Sequence, residues 1–224
     1  MNSGVQKSEE SRWNRLGNQM DWLDYENKAR EKGYRAVCGI DEAGRGPLAG
    51  PVFAAAVILP AGIYIEGIND SKKLSEKKRE ELFGVIQEKA IGWSVGFATE
   101  REIDEINILQ ATFLAMKRAF DGLEVRPDYA LVDGNRMPPL DVPVQTVVRG
   151  DSLSESIAAA SILAKVSRDR LMLEIDRLYP EYRFAKHKGY GTALHREMLL
   201  QYGPCPVHRR TFLKKILGDA AIER

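Results

Sequence analysis

Residues 38–60 read CGIDEAGRGPLAGPVFAAAVILP, and the architecture turns on how this stretch divides. Ala36 to Ile40 is short, apolar and β-prone, and stops at Asp41. Val52 to Leu59 is an unbroken apolar run between Pro51 and Pro60. Continuous rather than alternating hydrophobicity marks a strand buried on both faces. Gly44, Gly46 and Gly50 lie between the two strands, so the chain can turn there.

Downstream, Ser75 is placed to cap a helix reaching about Lys89, with Leu82, Val85 and Ile86 on one face. Trp93 to Ala98 reads as a strand. Asn107 to Phe120 reads as a helix, with Leu109, Phe113, Met116 and Phe120 at helical spacing and Gly122 after it. Tyr129 to Val132 and Gln145 to Val148 are further short strands. A long helix is expected from about Ser152 to Leu178, stopping before Pro180, and another over about Ala193 to Tyr202. Strands come first and then alternate with helices, which predicts an α/β domain with a mixed sheet flanked by helices. The expected organisation is a loose or short helical arm over residues 1–20. One domain follows over 21–224, with a helical C-terminal part from about 180.

The 224 residues are 44% hydrophobic and 29% charged, with 33 Lys or Arg against 32 Asp or Glu. A net charge of +1 excludes a globally basic nucleic-acid coat, so any polyanion site must be local. The Val52 to Leu59 run is far short of the ~20 residues a membrane span needs. The polar N-terminus has no signal-peptide core, so a cytoplasmic protein is expected. Cys38 and Cys205 show no metal-ligand spacing and are expected to be reduced bystanders. Nothing suggests obligate oligomers, so a monomer is expected.

Three acidic spots fall where predicted strands end: Asp41–Glu42, Asp133 and Asp151. Strand ends of an open α/β sheet are where ligand crevices form. Two carboxylates ~4 Å apart repel by about 4 kcal/mol at an effective dielectric near 20. A group of them must share protons or hold hard cations. Oxygen-only ligands favour Mg²⁺ or Mn²⁺ over zinc. Paired divalent ions activate a water and stabilise the leaving oxygen of a phosphodiester. Each spot also has an ordinary reading: Asp151 as a helix N-cap, Asp133–Gly134 and Asp41–Glu42 as turns.

Gly44 to Ala49 fits G-x-G-x-x-A, the dinucleotide fingerprint. That reading, an NAD-binding oxidoreductase, requires a helix after Ala49, whereas Gly50–Pro51 and a buried strand follow. A better reading is a turn whose backbone approaches a sugar-phosphate, with Arg45 adding a phosphate contact. Between Arg177 and Leu217, nine Lys or Arg face two acids, with Tyr182, Phe184 and Tyr190 interleaved. This suits a phosphate-tracking surface with a stacking residue, and a non-catalytic hybrid-binding module stays open on composition alone. His187, His195 and His208 also lie here and are expected to be hydrogen-bonded structural groups.

The stretch at 38–60 resembles the opening motif of bacterial ribonuclease HII. NDSKKLSEKKREELF, NILQATFLAM, LVDG, GDSLSESIAAASILAKVSRDRLM, HKGYGTALH and GPCPVHRRTF resemble its later blocks, in the same order, from about Gly33 to Phe212. The resemblance implies an RNase H-like fold and a divalent-metal endonuclease. Its substrates would be RNA–DNA hybrids and duplex DNA carrying single ribonucleotides, cut by two-metal catalysis with Mg²⁺ or Mn²⁺. It maps the family's metal-binding and catalytic acids onto Asp41, Glu42, Asp133 and Asp151. It maps the loop that senses the 2′-hydroxyl onto Gly44, Arg45 and Gly46, and the junction-reading tyrosine onto Tyr190. Ser71 and Lys72 match a segment near the substrate backbone. Leu153 stands where the family often has Lys.

Overall fold

The computed structural model describes residues 21–218; the expected arm over residues 1–20 lies outside them. Five strands form one sheet in the order β3-β2-β1-β4-β5. They are β1 (Val37–Ala43), β2 (Val52–Ile58), β3 (Gly92–Ala98), β4 (Tyr129–Asp133) and β5 (Val144–Val147). β2 runs antiparallel to β1 and β3, while β4 is parallel to both β1 and β5. The sheet is therefore mixed, as expected. β2 is buried at every position, because Ala55 and Val57 face one helical layer while Ala54 and Ala56 face the other.

The first layer holds α2 (Glu76–Lys89) and α4 (Glu155–Leu178). The second is α3 (Glu100–Asp121). Ser75 caps α2 by accepting from the Lys78 N–H at 3.2 Å. Two places depart from the sequence reading. A helix α1 (Asp24–Glu31) precedes the sheet, and α3 begins seven residues before Asn107. Thr99 and Glu102 close a capping box at its start, and Asn107 breaks the helix internally at φ 67°, ψ 164°. Its side chain accepts from the Leu109 and Gln110 N–H groups, so it caps the second half. The helix expected from Asn107 is that second half.

α4 crosses β1 at Gly39. A Cβ there would lie 2.2 Å from the Ser156 carbonyl carbon, so only glycine admits this crossing. The start of α4 is fixed twice more. Ser154, not Asp151, is its N-cap. Buried Glu26 on α1 accepts from Ser154 Oγ at 2.6 Å, Ser156 N at 3.0 Å and Ser156 Oγ at 2.5 Å. The C-terminal part comprises a helical turn at Phe184–His187, α5 (Ala193–Tyr202) and α6 (Arg210–Leu217). These pack with Met172 and Ile175 of α4 into their own apolar cluster.

Candidate active site

β1, β4 and β5 are parallel, so their C-terminal ends share one edge of the domain. That edge brings the expected acids together. β1 does not stop at Ile40: it continues through Asp41 and Glu42 to Ala43, opposite Ala55, Ala54 and Phe53. Asp133 is the last residue of β4, opposite Val147, and accepts from the Gly150 N–H at 2.6 Å. Asp151 sits in the 3₁₀ turn Gly150–Ser152 between β5 and α4. Asp151 is not the N-cap of α4, and Asp41 and Glu42 lie in the strand rather than in a turn, while Asp133 ends β4 just before a bend at Gly134. Leu153 packs its half-buried side chain beside Val147 and Ile157, which accounts for an apolar residue there.

Electrostatics shows how tightly the acids are grouped. Asp41 is 4% exposed. Burial pushes its carboxyl well above the usual range, the charges of Glu42 and Asp133 push further, and the Ser161 hydroxyl and Glu42 N–H only partly offset them. Burial also raises Glu42, against the pull of Arg45, with Asp133 adding to the rise. Asp151, 6% exposed, is raised by burial and then by Asp70 and Asp133, with Lys72 opposing. Sequence reasoning did not assign Asp70 to the site. Its signal was its place one residue before Ser71–Lys72 in the segment already flagged.

Lys72 reaches over this group, its ammonium 3.9 Å from Asp151. Burial works against its charge, but Asp41, Asp151, Asp70 and Asp133 outweigh it and raise its pKa. Ser71 turns inward: it is buried and its Oγ is 2.9 Å from Ser161 Oγ, so its hydroxyl anchors the turn to α4. Among the described residues no three His, Cys, Asp or Glu side chains stand at metal-holding separation. The donors themselves are all oxygen and carry a strained excess of negative charge, which fits hard divalent cations.

The glycine loop is the β1–β2 connection. β2 follows it, so the helix a dinucleotide fingerprint requires is absent. Gly44 has φ +96°, and a Cβ there would lie 2.1 Å from Arg168 Nε. Arg45 is half-exposed and pairs with Glu42 at 3.5 Å. Tyr190, 43% exposed, brings its ring to the Gly46 side of the loop, its Cε1 3.9 Å from where a Gly46 Cβ would sit. Lys165 and Arg168 each approach the ring centroid at 5.9 Å. An aromatic face, a bare backbone and a guanidinium therefore lie beside the carboxylates.

Beneath Tyr190 lie the three histidines, all buried. The Cys205 N–H donates to His208 Nδ1 at 3.0 Å. His208 Nε2–H can then donate to His195 Nε2 at 3.0 Å, and His195 Nδ1–H to the Tyr190 carbonyl at 3.0 Å. His187 Nε2–H donates to the Tyr182 carbonyl, while its Nδ1 accepts from the Gly189 N–H. In this arrangement all three rings are neutral. Burial lowers all three pKa values, His195 to about 4 and His208 to about 3.

Comparisons with known proteins point to one family. The family model described as Ribonuclease HII matches residues 38–215. A ribonuclease HII from Caldicellulosiruptor saccharolyticus is 56% identical over 203 residues, covering 91% of this chain and 99% of its own. Among solved structures, the ribonuclease H2 from Pyrococcus horikoshii OT3 superposes with a TM-score of 0.69 at 29% identity, covering 85% of this chain and 100% of its own. Bst-RNase HIII, solved in complex with Mn²⁺, shares the fold with a TM-score of 0.60 at 18% identity, covering 94% of this chain and 70% of its own.

Proposed function

Because the chain belongs to the ribonuclease HII family, nucleases acting on RNA paired with DNA, we propose that it cuts on the 5′ side of single ribonucleotides embedded in duplex DNA, as well as the RNA strand of hybrids. The observation carrying this reading is the convergence of Asp41, Glu42, Asp133 and Asp151 at one sheet edge, beside a glycine loop and an exposed tyrosine. In this reading the four acids hold Mg²⁺ or Mn²⁺. Bound there, a pair of such ions supplies water activation and stabilisation of the leaving 3′-oxygen. A cytoplasmic monomer is part of the same proposal; no described helix is long and apolar enough to cross a membrane.

The chain's own residues do the rest. The backbone at 44–46 offers close approach to a 2′-hydroxyl, the group that distinguishes RNA from DNA at a given position. Tyr190 offers a face for the sugar or base at the junction. Arg45 and Lys72 sit where phosphates pass and offset the negative edge. A ribonuclease that uses the 2′-hydroxyl as nucleophile needs a general base to deprotonate it. In this reading the attacking group is water, and the three imidazoles, buried and engaged, act as structural groups.

The test is a labelled DNA duplex with one ribonucleotide, incubated with and without Mg²⁺ or Mn²⁺. Metal-dependent cleavage leaving a 5′-phosphate on the ribonucleotide and a 3′-hydroxyl upstream is expected. A cyclic 2′,3′-phosphate, or binding without cleavage, would reject the reading. In the same assay Tyr190→Ala should slow junction cleavage roughly tenfold to hundredfold, since one aromatic stacking contact contributes about 1–3 kcal/mol. An unchanged rate would remove Tyr190 from recognition.

A further inference from the structure

Two arginines are among the largest fully buried side chains of the domain, Arg168 on α4 and Arg209 just before α6, both 0% exposed. Their donors go to backbone carbonyls. Arg209 donates to Gly50 O at 2.8 Å, Arg45 O at 2.9 Å and Gly44 O at 2.6 Å. Arg168 donates to Pro51 O at 3.0 Å, Ala49 O at 3.0 Å and Lys188 O at 2.9 Å. Five of these six carbonyls belong to the loop between β1 and β2. The sixth belongs to the turn that carries Tyr190. Backbone pairing lies alongside: Leu48 N–H donates to Gly189 O at 2.8 Å, and Gly50 N–H to Val207 O at 2.9 Å.

Burying a guanidinium is costly, and well-packed apolar residues of similar volume often stabilise a fold as well or better. Stability alone therefore gives no reason for two such charges here. Geometry does: a planar fork fixes several carbonyls at once, which a point cation cannot. We infer that Arg168 and Arg209 are positioning residues that lock the glycine loop at a fixed distance from Tyr190 and so select which phosphodiester bond meets the carboxylates. The inference rests on the nuclease reading above. It also explains why Gly44 must lack a side chain: the Arg168 fork occupies that space.

The experiment compares Arg168→Lys and Arg209→Lys with the wild-type protein in three measurements. These are kcat and KM on a duplex with one ribonucleotide, the cut positions on a duplex with a short ribonucleotide run, and hydrogen exchange of the Leu48 and Gly50 amides. Lysine keeps the charge but loses the fork. The expected result is a kcat lowered about tenfold to hundredfold with KM little changed, cuts spread over neighbouring positions, and faster exchange at Leu48 and Gly50 while β1, β2 and α4 stay protected. Wild-type kcat with a single cut position in both lysine variants would overturn the inference, as would a loss of rate with unchanged exchange at these amides. Should a lysine variant fold poorly, the wild-type protein decides: Leu48 and Gly50 amides exchanging as fast as in an unstructured peptide would overturn it. If the wild-type protein does not cut the duplex at all, the nuclease reading fails, and the exchange comparison still decides the clamp.

Discussion

Asp41→Asn is expected to lower cleavage at least a thousandfold and, in EDTA, to raise the melting temperature of the protein that has lost its activity. The two effects have one cause. Burial and the charges of Glu42 and Asp133 raise the Asp41 pKa in the fold. A carboxyl whose folded pKa lies above its unfolded value costs stability as pH rises from the unfolded value through the folded one; below the unfolded value that cost is absent. At neutral pH the carboxyl is thus a liability, and a neutral amide of the same shape removes it. Each kcal/mol recovered corresponds to about 2–4 °C in a chain of this size. Added Mg²⁺ should raise the melting temperature of the wild-type protein more than that of the variant, by mass action on the folded state. Thermal unfolding with EDTA and with Mg²⁺, run beside the cleavage assay, checks all three statements. Retained turnover, or a variant less stable than wild type in EDTA, would make Asp41 an ordinary structural acid.

Gly39→Ala should cost substantial stability, because the added methyl meets backbone rather than a movable side chain. Its Cβ would lie 2.2 Å from Ser156 C and 2.4 Å from Ile157 N. Overpacking of this kind costs typically about 1–3 kcal/mol and occasionally more, so a fall of about 2–12 °C in melting temperature is expected. Activity should fall further than stability explains, since a shift at Ser156 is carried along the same short segment to Asp151. Assaying cleavage well below the variant's melting point separates the two effects. Gly84→Ala is the control: it lies inside α2 with open space where the methyl would go, and should stabilise by about 0.5–1 kcal/mol. A Gly39 variant as stable and active as wild type would mean that α4 does not need its close approach to β1.

The sheet was legible because its strands carry strong local signals. The β2 run is apolar without interruption, and the apolar runs of β1 and β4 lead directly into acids. α2 was legible through Ser75, and α5 through its apolar spacing. Where the reading failed, the stabilising contacts are distant in sequence. α1 has few apolar residues, and its decisive contact is a buried glutamate on a helix start 128 residues away. The opening turns of α3 are mostly charged; the Thr99–Glu102 capping box was the available signal, and a break at Asn107 hid the continuity. β1 was cut short because charges within a strand look like its end. In the site, the acids, the glycine loop and Tyr190 could be named from motifs. Arg209 could not be separated from the basic surface around it, because a sequence does not show which of nine cations faces inward.

The neutral imidazole relay under Tyr190 has a consequence for acid tolerance. Its depressed pKa values mean that stability is intact above the ordinary histidine range and is lost as pH falls below it toward the folded values near 4 and 3. The raised carboxyls respond with the reverse sign, becoming easier to keep folded as they take up protons. Mild acidification therefore relieves the buried carboxyls while loosening the mount of Tyr190, so the surroundings of that ring should give way before the domain does.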